Sequence, residues 1–253
     1  MKITYIYHSC FVAEIEDCIF VFDYYKGHLK GHLPKFDPNK KLIFMVSHQH
    51  GDHFNPSIYE YAKIHPNVTY VLSSDVKKSL SFAVRVGNGG KHTVFVDENE
   101  KIYLNVDNRG VLTLSDYPRG IKIETLKSTD EGVAFIIEYA GKSIYFAGDL
   151  HWWTWIGKTA EDEIRREQEY KHELAKIKGR HFDAAFVVLD PRQEERYWWG
   201  FNEFMNSACA DIVFPMHLWE NYKLIEQFKN DPAAENYKNR IMSVEHEQQI
   251  FEI

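Results

Sequence analysis

The stretch SHQHGDHF, residues 47–54, directly follows the apolar run LIFMV, residues 42–46. The apolar run predicts a buried strand, and the polar residues after it predict a tight loop. Three histidines and one aspartate lie within six positions of that loop. Imidazole and carboxylate groups are common metal ligands, and a match this dense is far more specific than a lone histidine. The loop is therefore predicted to hold a metal site.

The spacing within the loop predicts two metal positions. Alternate residues of an extended chain point the same way, so His48 and His50 can converge on one ion. Asp52 and His53 then face a second position, since Gly51 lets the backbone turn between the two pairs at little steric cost. This ligand set without a nearby cysteine suits one or two divalent ions, Zn²⁺ first, with Mn²⁺ or Fe²⁺ as alternatives. The competing interpretation is a polar loop of solvated histidines.

Four segments together resemble the metallo-β-lactamase superfamily. Besides the metal loop they are HSCFVAEIEDCIFVFDYY at 8–25, IYFAGD at 144–149 and FPMH at 214–217. Within the superfamily, the chain is most similar to the L-ascorbate-6-phosphate lactonase-like hydrolases. The resemblance implies a metallo-β-lactamase-like four-layer αββα sandwich of the α+β class, and metal-dependent hydrolysis.

The resemblance also implies further metal ligands. Asp149 follows an apolar strand, where a buried carboxylate needs a cation, and His217 corresponds to the last metal-binding histidine of the superfamily. A turn-capping aspartate and a structural histidine are the alternatives. The superfamily's third histidine is absent: residues 127–135, KSTDEGVAF, stand in its place, with Asp130 as the nearest ligand-capable residue. A carboxylate there would favour Mn²⁺ or Fe²⁺ at the first position, or leave a single ion bound.

Four more residues are candidates for contact with the substrate or with the metal ligands. His8 lies at the first predicted turn, where a local hydrogen bond is the alternative role. Asp23 ends an apolar strand and can pair with a ligating histidine or merely cap the next turn. His151 closely follows the Asp149 segment. Arg192 can bind a phosphate or carboxylate, or be an ordinary surface arginine.

Five of the six tryptophans lie in HWWTW, residues 151–155, and RYWWGF, residues 196–201. The two segments closely follow strand ends that carry polar residues. They are predicted either to line the mouth of a pocket or to pack in the core or at a subunit contact.

Short β-branched and aromatic runs separated by polar turns predict the strands. The first three, KITYIY, CFVAEI and CIFVFD, predict an antiparallel meander that leads into the metal loop. Helices are predicted at 55–65, 75–86, 159–178 and 219–230. The strands between 87 and 137, beginning with HTVFVD, predict a second sheet.

Composition bounds the remaining properties. A chain of 253 residues with 44% hydrophobic content is expected to form a single domain over 1–253. Its net charge of −7 provides no general basic field, so nucleic acid is not expected as a partner. Three cysteines without a paired framework, and no apolar run that spans a bilayer, predict a cytoplasmic protein without a membrane partner. A small-molecule substrate is expected, and the sequence is compatible with a homo-oligomer.

The predicted chemistry follows from the metal ligands. Coordination lowers the pKa of water toward neutrality, so the centre supplies a metal-bound hydroxide that attacks an ester, lactone, amide or phosphoester of a small, anionic or neutral substrate. Asp52 is the candidate catalytic residue, since it can orient the nucleophile or accept its proton. The alternatives are a phosphodiesterase or nuclease of the same superfamily, and a non-catalytic metal-binding relative.

Overall fold

A computed structural model describes residues 1–25, 32–80, 92–107 and 111–253. In chain order the strands are β1 (Lys2–Tyr7), β2 (Cys10–Ile15), β3 (Cys18–Phe22), β4 (Lys41–Val46), β5 (Val68–Ser73), β6 (Thr93–Val96), β7 (Lys101–Val106), β8 (Leu112–Leu114), β9 (Ile121–Lys127), β10 (Val133–Tyr139), β11 (Lys142–Phe146), β12 (His181–Val188), β13 (Cys209–Met216) and β14 (Ile250–Glu252). The α-helices are α1 (Ala160–Ala175), α2 (Trp199–Ser207) and α3 (Lys223–Lys229). Short 3-10 helices cover Pro56–Lys63, Ser74–Lys78, Pro191–Arg196, Pro232–Ala234 and Lys238–Arg240.

The strands form two mixed sheets of seven strands each. The first sheet has the order β14-β1-β2-β3-β4-β5-β6, and the second has the order β13-β12-β11-β10-β9-β7-β8. As predicted, β1, β2 and β3 form an antiparallel meander, after which β3 to β6 run parallel. In the second sheet β11, β12 and β13 run parallel. The predicted α+β sandwich is confirmed.

Aromatic side chains fill the space between the two sheets. The rings of Phe22 and Phe146 stack at 4.6 Å, and those of Phe11 and Phe186 lie 4.7 Å apart. The neighbouring residue Val21 belongs to a separate apolar cluster on the outer face of the first sheet. Both faces of β3 are covered, which explains why all five of its residues are apolar and buried.

The outer layers differ between the two sheets. Helix α1 forms near its predicted bounds of 159–178, with the side chain of Thr159 accepting from the backbone N–H of Asp162 as an N-cap. Helices α1 and α2 pack over the second sheet, where the rings of Tyr145 and Phe204 stack at 4.7 Å. In the described part of the chain, the first sheet is covered by 3-10 helices, and the ring of Tyr61 lies 5.1 Å from that of Phe44.

Several predicted elements need correction. The helix predicted at 55–65 is a 3-10 helix at Pro56–Lys63, in which only Ile58 is buried, so its apolar face is smaller than the spacing of Ile58, Tyr61 and Ile64 predicted. The helix predicted at 75–86 begins as a 3-10 helix at Ser74–Lys78, and its second half lies outside the described residues. The helix predicted at 219–230 is shorter in the structure, where it is α3 at Lys223–Lys229.

The segment HTVFVD was wrongly predicted to join the second sheet. Its strand β6 pairs parallel with β5 at the edge of the first sheet. Because a parallel partner is chosen by the tertiary fold, the local pattern carries no information on sheet membership. None of the helices in the described ranges has the length and apolar character needed to cross a bilayer. The single domain over 1–253 stays a prediction.

Gly132 brings the start of β10 directly against the metal loop. The backbone N–H of Val133 donates to the carbonyl of Ser47 at 2.9 Å. A Cβ on Gly132, whose φ is +68°, would lie 1.9 Å from the Ser47 carbonyl oxygen and 2.6 Å from the Cβ of His48. Only glycine permits this approach, which carries the neighbouring Asp130 to the loop.

Replacing Gly132 by alanine should therefore lower the free energy of unfolding by more than the cost of its positive φ. Gly141→Ala is the matched control, since Gly141 has φ +74° with nothing within 4 Å of the added Cβ. We expect about 1–2 kcal/mol for the control from φ alone. Overpacking should add about 1–3 kcal/mol for Gly132→Ala, measured by urea unfolding. Equal losses in the two variants would contradict the close approach.

Candidate metal centre

Among the described residues, nine potential ligand residues lie close together at the ends of several strands. Eight of them form two groups of four, and the ninth, Asp23, forms a smaller group with His48 and His53. Within each group one ligand atom per residue lies within 4.8 Å of the others. The first group is His48, His50, Asp130 and Asp149, and the second group is His8, Asp52, His53 and His217. Every residue that the sequence predicted as a metal ligand, including Asp130, lies in one of the two groups.

In the first group, two imidazoles and two carboxylates face one another. The Nε2 of His48 lies 3.0 Å from the Nδ1 of His50 and 3.6 Å from the Oδ2 of Asp149. The Nδ1 of His50 lies 3.4 Å from the Oδ2 of Asp130. The other oxygen of Asp149 lies 3.2 Å from the Nε2 of His53 in the second group. Asp149 thus stands between the groups.

The second group is arranged around the Oδ2 of Asp52. This oxygen lies 3.6 Å from the Nε2 of His8, 3.9 Å from that of His53 and 3.8 Å from that of His217. Three imidazole nitrogens and a carboxylate oxygen therefore point toward one small volume.

Four atoms of the two groups are buried without a hydrogen-bond partner in the described part of the chain. They are the Nε2 atoms of His8, His53 and His217 and the Oδ1 of Asp149. Burying such groups unpaired costs free energy, so unpaired buried polar atoms are uncommon in folded proteins. A divalent cation would satisfy all four, and imidazole with carboxylate is a donor set that Zn²⁺, Mn²⁺ and Fe²⁺ accept. The residues present therefore fit a metal centre.

Two buried aspartates orient histidines of the second group. The Oδ2 of Asp23 lies 2.7 Å from the Nδ1 of His53, and Asp23 also accepts from the backbone N–H and the hydroxyl of Ser47 at 2.7 Å and 2.6 Å. The Oδ2 of Asp190 lies 2.8 Å from the Nδ1 of His217. Each pairing uses Nδ1 and leaves Nε2 directed into the group, the arrangement that metal-binding histidines need. Asp23 thus contacts a histidine of the group, one of the two roles predicted for it.

The two histidines of the first group differ in their surroundings. The Nδ1 of His48 lies 2.9 Å from the hydroxyl oxygen of Ser47, and burial together with the neighbouring His53 holds the pKa of His48 well below its usual range. His48 is therefore neutral, the form in which an imidazole can bind a metal. The side chain of His50 is 43% exposed, and its Nε2 lies 3.7 Å from the Oε2 of Glu131.

The carboxylates of the site are held ionised by their neighbours. Burial acts to raise the pKa of Asp149, but the imidazoles of His53 and His217 outweigh it and lower that pKa well below its usual range. Burial likewise opposes ionisation of Asp52, whose pKa is nevertheless lowered by His8, His53 and His217. The side chains of Asp52 and Asp149 are thus anionic.

Three residues of the site have a strained backbone. His8, Asp23 and His217 have φ values of 55°, 42° and 66°, in the left-handed region that side-chain-bearing residues rarely adopt. Each such residue costs about 1–3 kcal/mol and persists only where its surroundings fix it. The strained backbone directs the side chains of His8, Asp23 and His217 into the site.

A cavity of about 330 Å³ opens beside both groups. Its floor includes Asp52 and Asp149, and its wall includes Trp153, Trp155 and Arg192. The two tryptophan rings stack at 5.8 Å with an interplanar angle of 7°, and the indole N–H of Trp153 donates to the carbonyl of Asp149 at 2.9 Å. Trp153 and Trp155 therefore form an apolar wall of the cavity, and the hydrogen bond from Trp153 holds this wall next to Asp149.

The tryptophans that the sequence left undecided divide between two roles. Trp153 and Trp155 line the cavity, whereas Trp152 packs against Trp199 at 5.4 Å in the wall behind it. Trp198 stacks on Phe228 at 6.5 Å, away from the metal groups.

Arg192 lies in the cavity wall in a fixed orientation. Asp190 accepts from its Nε at 2.9 Å and from its Nη2 at 2.6 Å. The guanidinium carbon lies 4.7 Å from the ring centre of Trp219 and 5.8 Å from that of Trp155. The side chain is 47% exposed, so a cationic edge faces the cavity.

His151 does not reach the cavity, which corrects its prediction as a substrate contact. It is fully buried, its Nε2 lies 2.7 Å from the Oε1 of Gln193, and its ring packs against Gly200, where a Cβ would lie 2.3 Å from Cε1. Burial lowers its pKa to about 4. His151 is only two residues from Asp149 in the sequence, but the turn after β11 directs its side chain into the protein interior.

Sequence reasoning missed three residues that shape the site. Asp190 orients His217 as Asp23 orients His53, and the shared signal, an apolar strand that ends in aspartate, was available. Ser47 contacts both Asp23 and His48, for which no sequence signal exists. Arg166 of α1 also lines the cavity and donates to the carbonyl of Thr129 at 2.8 Å, a contact that only the tertiary fold creates.

A family profile described as the β-lactamase superfamily domain matches residues 2–160. The match spans more than half of the chain, so the chain belongs to this superfamily. The predicted membership is confirmed at that level, and the lactonase-like branch stays a prediction. The match ends before β12, so Asp190 and His217 lie outside it. Comparison with curated protein sequences finds no match.

Solved structures share the fold at low sequence identity. A Parabacteroides distasonis protein provisionally named a metal-dependent hydrolase has a TM-score of 0.62 at 16% identity, over 96% of this chain and 92% of that chain. Igni18, a metallo hydrolase from the archaeon Ignicoccus hospitalis, has a TM-score of 0.54 at 17% identity, over 100% and 98%. A variant of the β-hydroxylase CmlA has a TM-score of 0.56 at 14% identity, over 100% of this chain but 54% of that chain. These likenesses concern the fold alone, which serves more than one kind of reaction.

Replacing Asp23 by asparagine should weaken metal binding about 10- to 100-fold, because the amide cannot reproduce a carboxylate that accepts from both His53 and the Ser47 hydroxyl. Titration calorimetry with Zn²⁺ and with Mn²⁺ measures the change. Asp183→Asn is the matched control, since Asp183 also accepts a backbone N–H, from Ser143 at 2.8 Å, but lies at the opposite end of β12. Unchanged affinity in Asp23→Asn would show that the pairing with His53 does not serve a metal.

Proposed function

We propose that this protein is a divalent-metal-dependent hydrolase of an ester, lactone, amide or phosphoester in a small anionic substrate. The observation that carries the proposal is the convergence of buried, unpartnered imidazole and carboxylate atoms beside a cavity. A divalent ion held by these residues would lower the pKa of a bound water toward neutrality and so provide a nucleophile. Membership of a superfamily whose fold occurs in named hydrolases supports the same reaction class.

Two ions would be held by the two groups, with Asp149 serving both. The first group offers two imidazoles and two carboxylates, a harder donor set than three imidazoles would be, which favours Mn²⁺ or Fe²⁺ beside Zn²⁺. Asp52 is 30% exposed at the cavity floor and ionised, so one of its oxygens can accept a hydrogen bond from the attacking water. Asp52 thereby orients the nucleophile toward a substrate bound in the cavity.

Arg192 is the residue that we propose selects an anionic substrate. Its Nε and Nη2 are occupied by Asp190, while no hydrogen bond involves its Nη1 within the described residues. The pairing and the flanking rings of Trp155 and Trp219 fix the guanidinium before substrate arrives, so little entropy is lost on binding. A carboxylate or phosphate of the substrate would bind this edge while the tryptophan wall packs against its apolar part.

Removal of metal by a chelator should abolish hydrolysis on a panel of esters, lactones and phosphodiesters. Added Mn²⁺ should restore activity at least as well as Zn²⁺, because Asp130 supplies a carboxylate in the first group. Restoration by Zn²⁺ alone would count against Asp130 as a ligand.

The same panel separates the proposal from its alternatives. Turnover of esters or lactones that is lost in His50→Ala supports the proposal, and turnover confined to phosphodiesters would favour a phosphodiesterase. Metal binding without turnover on any member of the panel would identify a non-catalytic relative.

Replacing Arg192 by alanine should raise KM about 10- to 100-fold for an anionic ester, since a hydrogen bond to a charged group contributes about 1.5–3 kcal/mol. A neutral ester with the same leaving group should be hydrolysed at nearly unchanged kcat/KM. Arg180→Ala serves as control, because Arg180 pairs with Glu124 and Glu138 outside the cavity. Equal losses on both esters would instead show that Arg192 acts on the reaction or on the fold.

A further inference from the structure

We propose that His8 is a direct ligand at the second metal position, which thereby has three imidazoles. The inference rests on the proposed metal centre and extends it. The first group contains two imidazoles and two carboxylates, whereas the second contains three imidazoles and one carboxylate. The centre is therefore asymmetric in its donors.

The geometry around Nε2 of His8 supports coordination. This atom lies within 4.8 Å of a ligand atom of each of Asp52, His53 and His217, as they do of one another. Its distance of 3.6 Å to the Oδ2 of Asp52 exceeds hydrogen-bond length, and it has no other hydrogen-bond partner among the described residues. The side chain is only 3% exposed, so water from bulk does not pair with it freely.

The backbone around His8 fixes the direction of its ring. The hydroxyl of Tyr5 accepts from the backbone N–H of His8 at 2.9 Å, and the carbonyl of His8 accepts from the backbone N–H of His217 at 3.4 Å. The ring lies 4.2 Å from that of His217 and 4.5 Å from that of Trp219. These contacts hold a residue with φ 55° in place, and the strained turn has an evident use if it delivers an imidazole to a cation.

Three imidazoles at one position and two at the other should make the ions unequal. Nitrogen-rich ligation suits Zn²⁺ and the later transition metals, whereas the carboxylate-rich first group suits harder ions. We therefore expect two metal equivalents that bind with separate affinities. Of the two positions, the one with His8 is expected to bind Zn²⁺ more tightly.

The competing role for His8 is to orient Asp52 without touching metal. Residues that only orient a ligand typically change metal affinity about 10- to 100-fold when replaced. A direct ligand should exceed that range. Glutamine separates the two roles, since its amide can still donate to Asp52 but is a poor substitute for imidazole as a ligand.

The test is titration of the metal-free protein with Co²⁺ and with Zn²⁺, followed by calorimetry and by the visible absorption of Co²⁺. In wild type we expect two equivalents. In His8→Ala and in His8→Gln, one equivalent should weaken more than about 100-fold and its Co²⁺ absorption should shift, while the other equivalent is kept. His65→Gln is the control, because His65 is also buried but bonds to the carbonyl of Asp37 outside the site.

The outcomes distinguish the inference from the proposed function. Two equivalents in wild type and unchanged binding in His8→Ala would overturn the role of His8 alone. Recovery of affinity in His8→Gln would assign His8 to orienting Asp52. A wild-type protein that binds no divalent ion would overturn the metal centre itself. Thermal melts of each metal-free variant verify that it is folded, and X-ray absorption at the tighter Zn²⁺ equivalent should count three imidazoles.

Discussion

The site depends on a set of buried polar atoms that lie close together but form no hydrogen bonds within the described part of the chain. The Nε2 atoms of His53 and His217 and the Oδ1 of Asp149 have no hydrogen-bond partner in the described residues, although all are buried. Asp23 and Asp190 contact the Nδ1 atoms of His53 and His217. These contacts leave the two Nε2 atoms directed toward the centre without a partner of their own. The positive φ values at the strand ends add strain to the same place. A cation would offset these costs together, which is why the metal centre accounts for the local structure.

The β-sandwich brings these buried polar side chains together at the ends of its strands. Parallel strands β3 and β4 end beside the metal loop, and parallel strands β11, β12 and β13 deliver Asp149, Asp190 and His217 from the second sheet. Stacked phenylalanines between the sheets fix the distance between the two sets of strand ends. The site is therefore built on rigid elements, and the cavity with its arginine and tryptophans lies above them.

The fold leaves the reaction open, since similar folds occur in named hydrolases and in a β-hydroxylase. The two groups of potential ligands differ in their donors: the first has two imidazoles and two carboxylates, and the second has three imidazoles, including that of His8, and one carboxylate. Asp190 contacts both Arg192, which lines the cavity, and His217 of the second group.

The sequence by itself predicted the metal loop and the meander from local patterns of ligands and of apolar alternation, and its resemblance to the superfamily pointed to Asp149 and His217. It did not predict that β6 joins the first sheet, that His151 turns into the core, or that Asp190 and Ser47 orient ring nitrogens. It also offered no reason to give His8 more than a supporting role. Those features depend on which side chains meet after the strands pair, and such contacts between distant residues are decided by tertiary packing.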